Sequence, residues 1–333
     1  MPKRKKHKTK VKILEATNES GLTKVQRQAI DQSEHVVFQF PFMNHEIQGV
    51  LNMVKNRQIK PEMIPSNFPS THKAILQSVY KRKNKPAYFV AIEDTSYQAH
   101  LRDTLIPSLE SFTEAEDMFY FGTLEETIQA SKKAFESFVS YKQGIEMQVM
   151  QDITDISNKI LSQNPSNICY LTQGESPQIT DSLYRWYTER ENTQTYIQKP
   201  FTLDFRTETY RKFTNKKLEN EDYTLNNLDY LKLVLFHTLL NLGMNEIDFP
   251  TENFKLESPW LNQTRNHIIN SFSFTDIQKL HLEHQDHWFG WNKSTIITKE
   301  FEKRYPRQKQ ASFVLAQKYL QSGFNIIQEA DPK

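Results

Sequence analysis

Four short apolar runs constrain the fold of this chain more than any other feature: Val36-Val37-Phe38-Gln39-Phe40, Tyr88-Phe89-Val90-Ala91-Ile92, Met118-Phe119-Tyr120-Phe121 and Ile168-Cys169-Tyr170-Leu171. Each is rich in β-branched or aromatic residues and is followed by polar residues and then a helical stretch. A run without polar alternation suits a strand covered on both faces, as in a parallel sheet with crossover helices. The intervening residues agree. Thr123-Leu124-Glu125-Glu126 has the spacing of a capping box, in which the Thr123 hydroxyl accepts the Glu126 amide and Glu126 reaches back. Ile145, Val149, Ile153, Ile156 and Ile160 recur at helical steps and build one apolar stripe. The expected fold class is α/β and helix-rich: a small, mostly parallel sheet with flanking helices, followed by a helical C-terminal region.

Residues 1–22 lack apolar periodicity and end in Asn18-Glu19-Ser20-Gly21, which reads as a flexible basic arm. The α/β domain is assigned to residues 23–213 and the helical domain to 224–333, with the polar stretch Thr214 to Tyr223 as the boundary. Phe201-Thr202-Leu203-Asp204-Phe205 alternates like a half-buried strand, paired with Thr195-Tyr196-Ile197. Leu228, Leu231, Leu235 and Leu242 lie on a helix that can end at Gly243. Ser258-Pro259 opens another helix, Thr275 or Asp276 the next, and Pro306 separates two more.

Composition excludes several classes. With 37 % hydrophobic, 12 % aromatic and 25 % charged residues the chain can bury a full core. The densest apolar run, Leu231 to Leu242, is broken by Lys232, His237, Thr238 and Asn241 and is too short to span a bilayer, so no membrane partner is expected. No apolar segment follows the first basic residues, so a secretory signal is not expected. The single cysteine, Cys169, sits in an apolar run and reads as a core residue in a reducing compartment. A cytoplasmic location follows, or a nuclear one in a eukaryote. Eight glycines, none close to another, provide no counterpart of a glycine-rich phosphate loop.

Charge is uneven. Lys3, Arg4, Lys5, Lys6, Lys8, Lys10 and Lys12 fall within the first twelve residues with no acid among them. Removing those seven from the 42 basic residues leaves 35 against 40 acidic ones, so a body of formal charge −5 carries a +7 leader. Such a run contacts phosphate backbones by releasing counterions, and Pro2-Lys3-Arg4-Lys5-Lys6 has the composition of a nuclear import signal. Tyr80-Lys81-Arg82-Lys83-Asn84-Lys85 forms a further basic cluster. So do Lys299, Lys303, Arg304, Arg307 and Lys309 around Tyr305, the latter as a basic helical surface. A nucleic-acid-associated accessory or regulatory protein is the leading reading.

Two alternatives compete with it. In an open parallel sheet, ligands sit beyond the carboxyl ends of the strands, where Glu93 and Asp94, with Glu46 and Glu175, are candidate catalytic carboxylates. Together they could hold Mg²⁺ for phosphoester hydrolysis; the nucleic-acid reading itself needs no cofactor. Non-catalytic docking of a protein partner, or formation of a homo-oligomer through the helical half, is the third reading. His281 and His284 share a helical face as candidate metal ligands, while His287 lies roughly 600° of rotation from His281. His237, inside the apolar helix, reads as a core histidine with one hydrogen bond.

Overall fold

The computed structural model describes residues 8–16, 22–43, 45–64, 70–82, 85–174, 176–198, 203–241, 257–286, 296–304 and 328–329. The fold is α/β and helix-rich. Strands β1 (Thr9–Ala16), β2 (His35–Met43), β3 (Ala87–Glu93), β4 (Asn167–Gln173) and β5 (Thr193–Gln198) are parallel and ordered β3-β2-β4-β1-β5. The two-residue β6 (Gln328–Glu329) joins β5 antiparallel.

The described residues fall into two compact units. One lies within residues 1–98, 144–201 and 319–333, and the other within 99–143 and 202–318. The expected split at 213–224 is therefore replaced by two discontinuous units, because the chain leaves the sheet after β3 and returns to it at β4. Two of the boundaries fall inside helices, at Gln98/Ala99 and Gln143/Gly144.

In the sheet unit, α1 (Lys24–Gln32), α2 (His45–Lys55) and α3 (Ser70–Lys81) cover one face, where Leu14, Phe38, Phe40 and Leu171 meet Ile30, Leu51 and Ile75. Alternate residues Ile13, Val37 and Tyr170 face the other side. There the later half of α6 (Leu124–Leu161) and α7 (Pro177–Thr188) supply Ile153, Ser157, Ile179 and Tyr187. Each fully buried Leu, Ile or Phe of these layers stabilises the fold by about 1.5–3 kcal/mol. Cys169 is fully buried and free, and burial pushes its thiol up to about 12, as befits a core residue. α1 starts with a complete capping box between Thr23 and Gln26, and Gln26 Nε2 also donates to the Glu15 carbonyl at 2.8 Å, tying α1 to β1.

The leader departs from the expected flexible arm. Residues 9–16 form an interior strand, pairing with β4 and β5, because Thr9, Val11 and Ile13 alternate with Lys10 and Lys12 and place one apolar side inward. Met118 to Phe121, expected as a strand, is the last turn of α5 (Ile106–Phe121), and Phe205 opens α8 (Phe205–Glu219) rather than ending a strand. The pairing expected between 195–197 and 201–205 is made instead by β5 with β1. The capping box at Thr123 and Glu126 is present.

In the helical unit, α4 (Asp94–His100) runs through a π-helical segment, Leu101–Leu105, into α5. Pro107 has no N–H to donate, and the Ile106 amide bonds the carbonyl five residues back, at Leu101. α9 (Asn227–Asn241) is buried at every position from Tyr230 to Leu239, so it is the central helix, in contact with α5, α8 and α10 (Glu257–Asn270). α11 (Phe274–Asp286) packs on α5 and is capped by Ser273, whose hydroxyl accepts the Asp276 amide. Gly243, Pro306, Arg307 and Lys309 lie outside the described residues. No described helix is long and apolar enough to cross a membrane.

Candidate functional site

The described carboxylates expected at the strand ends follow β2 and β3, neighbouring strands on which Met43 pairs with Glu93. Glu93 ends the edge strand β3 and is exposed, Asp94 opens α4, and Glu46 lies exposed in the first turn of α2. Glu175 lies outside the described residues. Among the described residues no group of three or more His, Cys, Asp or Glu side chains is placed to hold a metal ion. His281 and His284 do share a face of α11, but that face is core. His281 Nδ1 donates to the Phe119 carbonyl at 2.8 Å, and His284 packs edge-on against Tyr120.

The basic candidates divide. Lys8 and Lys10 are exposed at the amino end of β1 and Lys12 is half-buried, while Lys3, Arg4, Lys5 and Lys6 lie outside the described residues. The expected C-terminal basic surface is partly consumed by the fold. Arg304 pairs with Glu300 at 2.8 Å and Asp276 at 3.5 Å, stacks on Phe272 and donates to the Ser271 carbonyl. Lys303 remains exposed, 3.5 Å from Glu300. Arg82 also turns inward, onto backbone carbonyls.

A different constellation occupies the helical unit. On α5, Thr113, Glu116 and Tyr120 fall at helical spacing on one side, and on α9, His237 and Asn241 are one turn apart. Asn241 Nδ2 donates to Glu116 Oε2 at 2.7 Å, and the Tyr120 hydroxyl approaches Glu116 Oε1 at 3.4 Å. His237 Nε2 lies 3.3 Å from Thr113 Oγ1 and 3.9 Å from Glu116 Oε2. The Thr113 hydroxyl already donates to the Leu109 carbonyl, so toward the imidazole it accepts, which places the His237 proton on Nε2 and a lone pair on Nδ1. Burial, reinforced by the charge of Arg206, lowers His237 to about 4, so the ring is neutral at pH 7. Burial also raises the Tyr120 phenol, with Glu116 the next contribution.

Arg206 is the unusual member. It projects from the first turn of α8, its guanidinium 5.5 Å from the Phe112 ring and 5.4 Å from the Phe138 ring. Nη1 is fully buried, and among the described residues the guanidinium has no hydrogen-bond or ion-pair partner. The nearest acid, Asp204, is spent as the N-cap: Oδ1 accepts the Arg206 and Thr207 amides and Oδ2 the Thr207 hydroxyl. Burial lowers the Arg206 pKa, opposed only by Asp204. A cation thus sits among two aromatic rings and a neutral imidazole without a bonded counter-ion. Such a site can accept an oxyanion.

Sequence reasoning singled out His237 alone of this set, as a core residue. The available signal was polar residues at helical spacing inside apolar faces, such as Glu116 between Phe112, Ala115 and Phe119. Set against protein-family models, curated proteins and solved structures, the chain matches none of them.

Proposed function

We propose that the protein binds nucleic acid through its phosphate backbone, in an accessory role. The observation that carries this reading is the Arg206 guanidinium, which has no hydrogen-bond or ion-pair partner among the described residues. A buried charge without a partner costs several kcal/mol, and phosphate oxygens match the planar fork of a guanidinium in two places at once. His237, uncharged beside it, adds polar contact without repelling an anion. The cationic leader supplies a second, sequence-independent contact through counterion release. Its last residues enter β1 beside a groove of about 740 Å³ whose lining includes Thr9, Asn164, Ser166, Arg190 and Asn192. Arg190 lies 3.3 Å over the Trp186 ring there.

Fluorescence-anisotropy titrations of single-stranded RNA, single-stranded DNA and duplex DNA across ionic strength test the reading. The full chain should lose affinity linearly in log–log salt plots. A chain beginning at Lys8, lacking four leader cations, should give a slope shallower by about three, at roughly 0.7–0.9 per phosphate contact. Arg206→Met should weaken binding at every salt concentration while raising the unfolding midpoint, because it removes an uncompensated charge. Equal, weak binding by all three chains at low salt refutes the reading.

A further inference from the structure

The two edges of the sheet are finished differently. β5 is covered by the antiparallel β6, whereas β3 ends the sheet with no described strand beyond it. An edge strand presents a row of free N–H and C=O groups, which folded chains ordinarily blunt with lysine, proline, a bulge or a short length. β3 uses none of these devices. Its seven residues, Ala87 to Glu93, carry one charge, at the last position, and the extra residue in its pairing with β2 belongs to β2, between Gln39 and Phe42.

The ladder determines which groups are left over. The Val36 amide donates to the Pro86 carbonyl at 3.3 Å, and Val36 is in register with Ala87. Alternate residues of a parallel strand turn their main-chain groups to the same neighbour. Tyr88, Val90 and Ile92 therefore bond β2, while Ala87, Phe89 and Ala91 direct N–H and C=O away from it. Among the described residues those outward groups have no partner. The same three residues are half-buried, although Phe38, on which the Phe89 ring stacks with centroids 5.7 Å apart, is fully buried.

This outward row is complementary to itself. With a second copy turned about a two-fold axis at Phe89, the β3 strands run antiparallel, Phe89 stands opposite Phe89 and Ala87 opposite Ala91. Each of these pairs exchanges two N–H···O bonds, about six in all. The faces covered by α1–α3 stay on one side, and Tyr88 meets Val90 on the other. Pro86 falls opposite Ile92, where its missing N–H costs nothing because that position faces β2. This register also sets the exposed Glu93 of each copy against the exposed Lys85 of the other, once at each end. Moving the axis to Tyr88 or Val90 takes these opposite charges out of register.

We propose that two copies of this chain associate through β3 of each, antiparallel about Phe89, into one continuous sheet. The pairing of acid with base at both ends selects a second copy as the occupant of the edge. Strand pairing alone covers less than the roughly 1,200–2,000 Å² of a standard stable interface, so the dimer forms in a concentration-dependent way. It uses neither Arg206 nor the cationic leader, and it stands or falls apart from the phosphate-binding reading.

Analytical ultracentrifugation of the full chain, from low micromolar to several hundred micromolar, tests the proposal. The mass should rise from 39.4 kDa toward twice that value. Glu93→Lys and Lys85→Glu should each weaken association roughly tenfold, since each places like charges opposite one another at both ends. An equimolar mixture of these two variants should dimerise like the parent, because every opposed pair is again one acid and one base. Ala91→Pro removes an outward donor without touching the bonds to β2, and it should remain at the monomer mass with its circular dichroism spectrum unchanged. Should that proline unfold the strand, the charge variants decide, because both side chains are exposed. A parent mass fixed at 39.4 kDa overturns the proposal and leaves the edge to a strand from another protein. Charge variants that dimerise as tightly as the parent, a mixture that fails to recover, or undiminished dimerisation by a folded Ala91→Pro chain each overturn it as well.

Discussion

Arg82 and Ser33 are 49 positions apart in the chain, yet the Arg82 guanidinium donates to the Ser33 carbonyl at 3.1 Å. The same group reaches the carbonyls of Ile30, of Glu34 at 3.1 Å and of Pro86 at 3.3 Å. One side chain therefore closes the C-terminal turn of α1, fixes the turn into β2 and ties down the start of β3. The Ile30 and Pro86 carbonyls also accept backbone amides, from Ser33 and Val36, so there the guanidinium takes the second lone pair. Arg82→Met should lower stability by roughly 2–4 kcal/mol, at about 1 kcal/mol per lost bond. Arg82→Lys should recover little, since a point charge cannot span four acceptors. Urea denaturation reads this as a lower midpoint at unchanged slope, and a midpoint within error of the parent chain would show that the clamp contributes nothing.

Arg82 also shows where sequence reading stopped. In the string Tyr80 to Lys85 it looks like one of several solvated cations, and only the return of the chain 49 residues away reveals that it is internal. Three of the four apolar runs are strands because β-branched and aromatic residues buried on both faces have no better local solution. The fourth, Met118 to Phe121, has the same composition but continues a helix begun before Pro107, and tertiary contacts with α9 and α11 decide its state. β1 was hidden because its lysines mask a period-two pattern whose inward residues are only visible once neighbours exist. The polar set around Arg206 was illegible for the same reason: orphaned atoms are defined by what fails to approach them.

The position of β1 changes what an N-terminal truncation reports. A chain beginning at Lys8 keeps all the pairings of β1 with β4 and β5, so its thermal midpoint should match that of the full chain. A chain beginning at Ile13 loses the pairs from Thr9 to Lys12 on both sides of this interior strand, together with buried Val11. It should fail to fold cooperatively. Circular dichroism melts compare the two, and a cooperative melt from the chain beginning at Ile13 would contradict the interior placement of β1.

Acid should destabilise the protein before its carboxylates titrate. His72 and His237 are both lowered to about 4, chiefly by burial, and burial shifts His35 in the same direction. In the unfolded chain a histidine titrates near about 6.5. Between those values the unfolded state binds a proton that the folded state refuses, so stability is fully present above pH 6.5 and falls as the pH drops toward 4. The expected loss is about 1.4 kcal/mol per pH unit for each of His72 and His237, reaching about 3 kcal/mol each by pH 4. Urea midpoints from pH 7 to 4 measure the slope, and His72→Phe and His237→Gln should each flatten it by about one proton. A double variant with the parent slope would assign the acid sensitivity elsewhere.

The hydroxyls of Ser157, Tyr170 and Tyr187 form a buried chain joining α6, β4 and α7. Its direction follows from counting protons. Ser157 donates to the Ile153 carbonyl at 2.6 Å, so its oxygen must accept from Tyr170, and the Tyr170 oxygen must then accept from Tyr187. Tyr187→Phe removes only the outermost donor and leaves every other proton bonded, at a cost of about 1 kcal/mol. Ser157→Ala takes away the acceptor for Tyr170, which can then donate only to Tyr187 and displaces that phenol's own proton; the cost should be larger, about 1–3 kcal/mol. Combining the two leaves Tyr170 buried with neither neighbour, so the double variant should lose more than the single losses added together, with a coupling of about 0.5–3 kcal/mol. Burial holds both phenols protonated throughout the neutral range, so the cycle can be measured at pH 7 without a titration contribution. Strict additivity, or a Tyr187→Phe loss exceeding that of Ser157→Ala, would reverse the assigned direction of the chain.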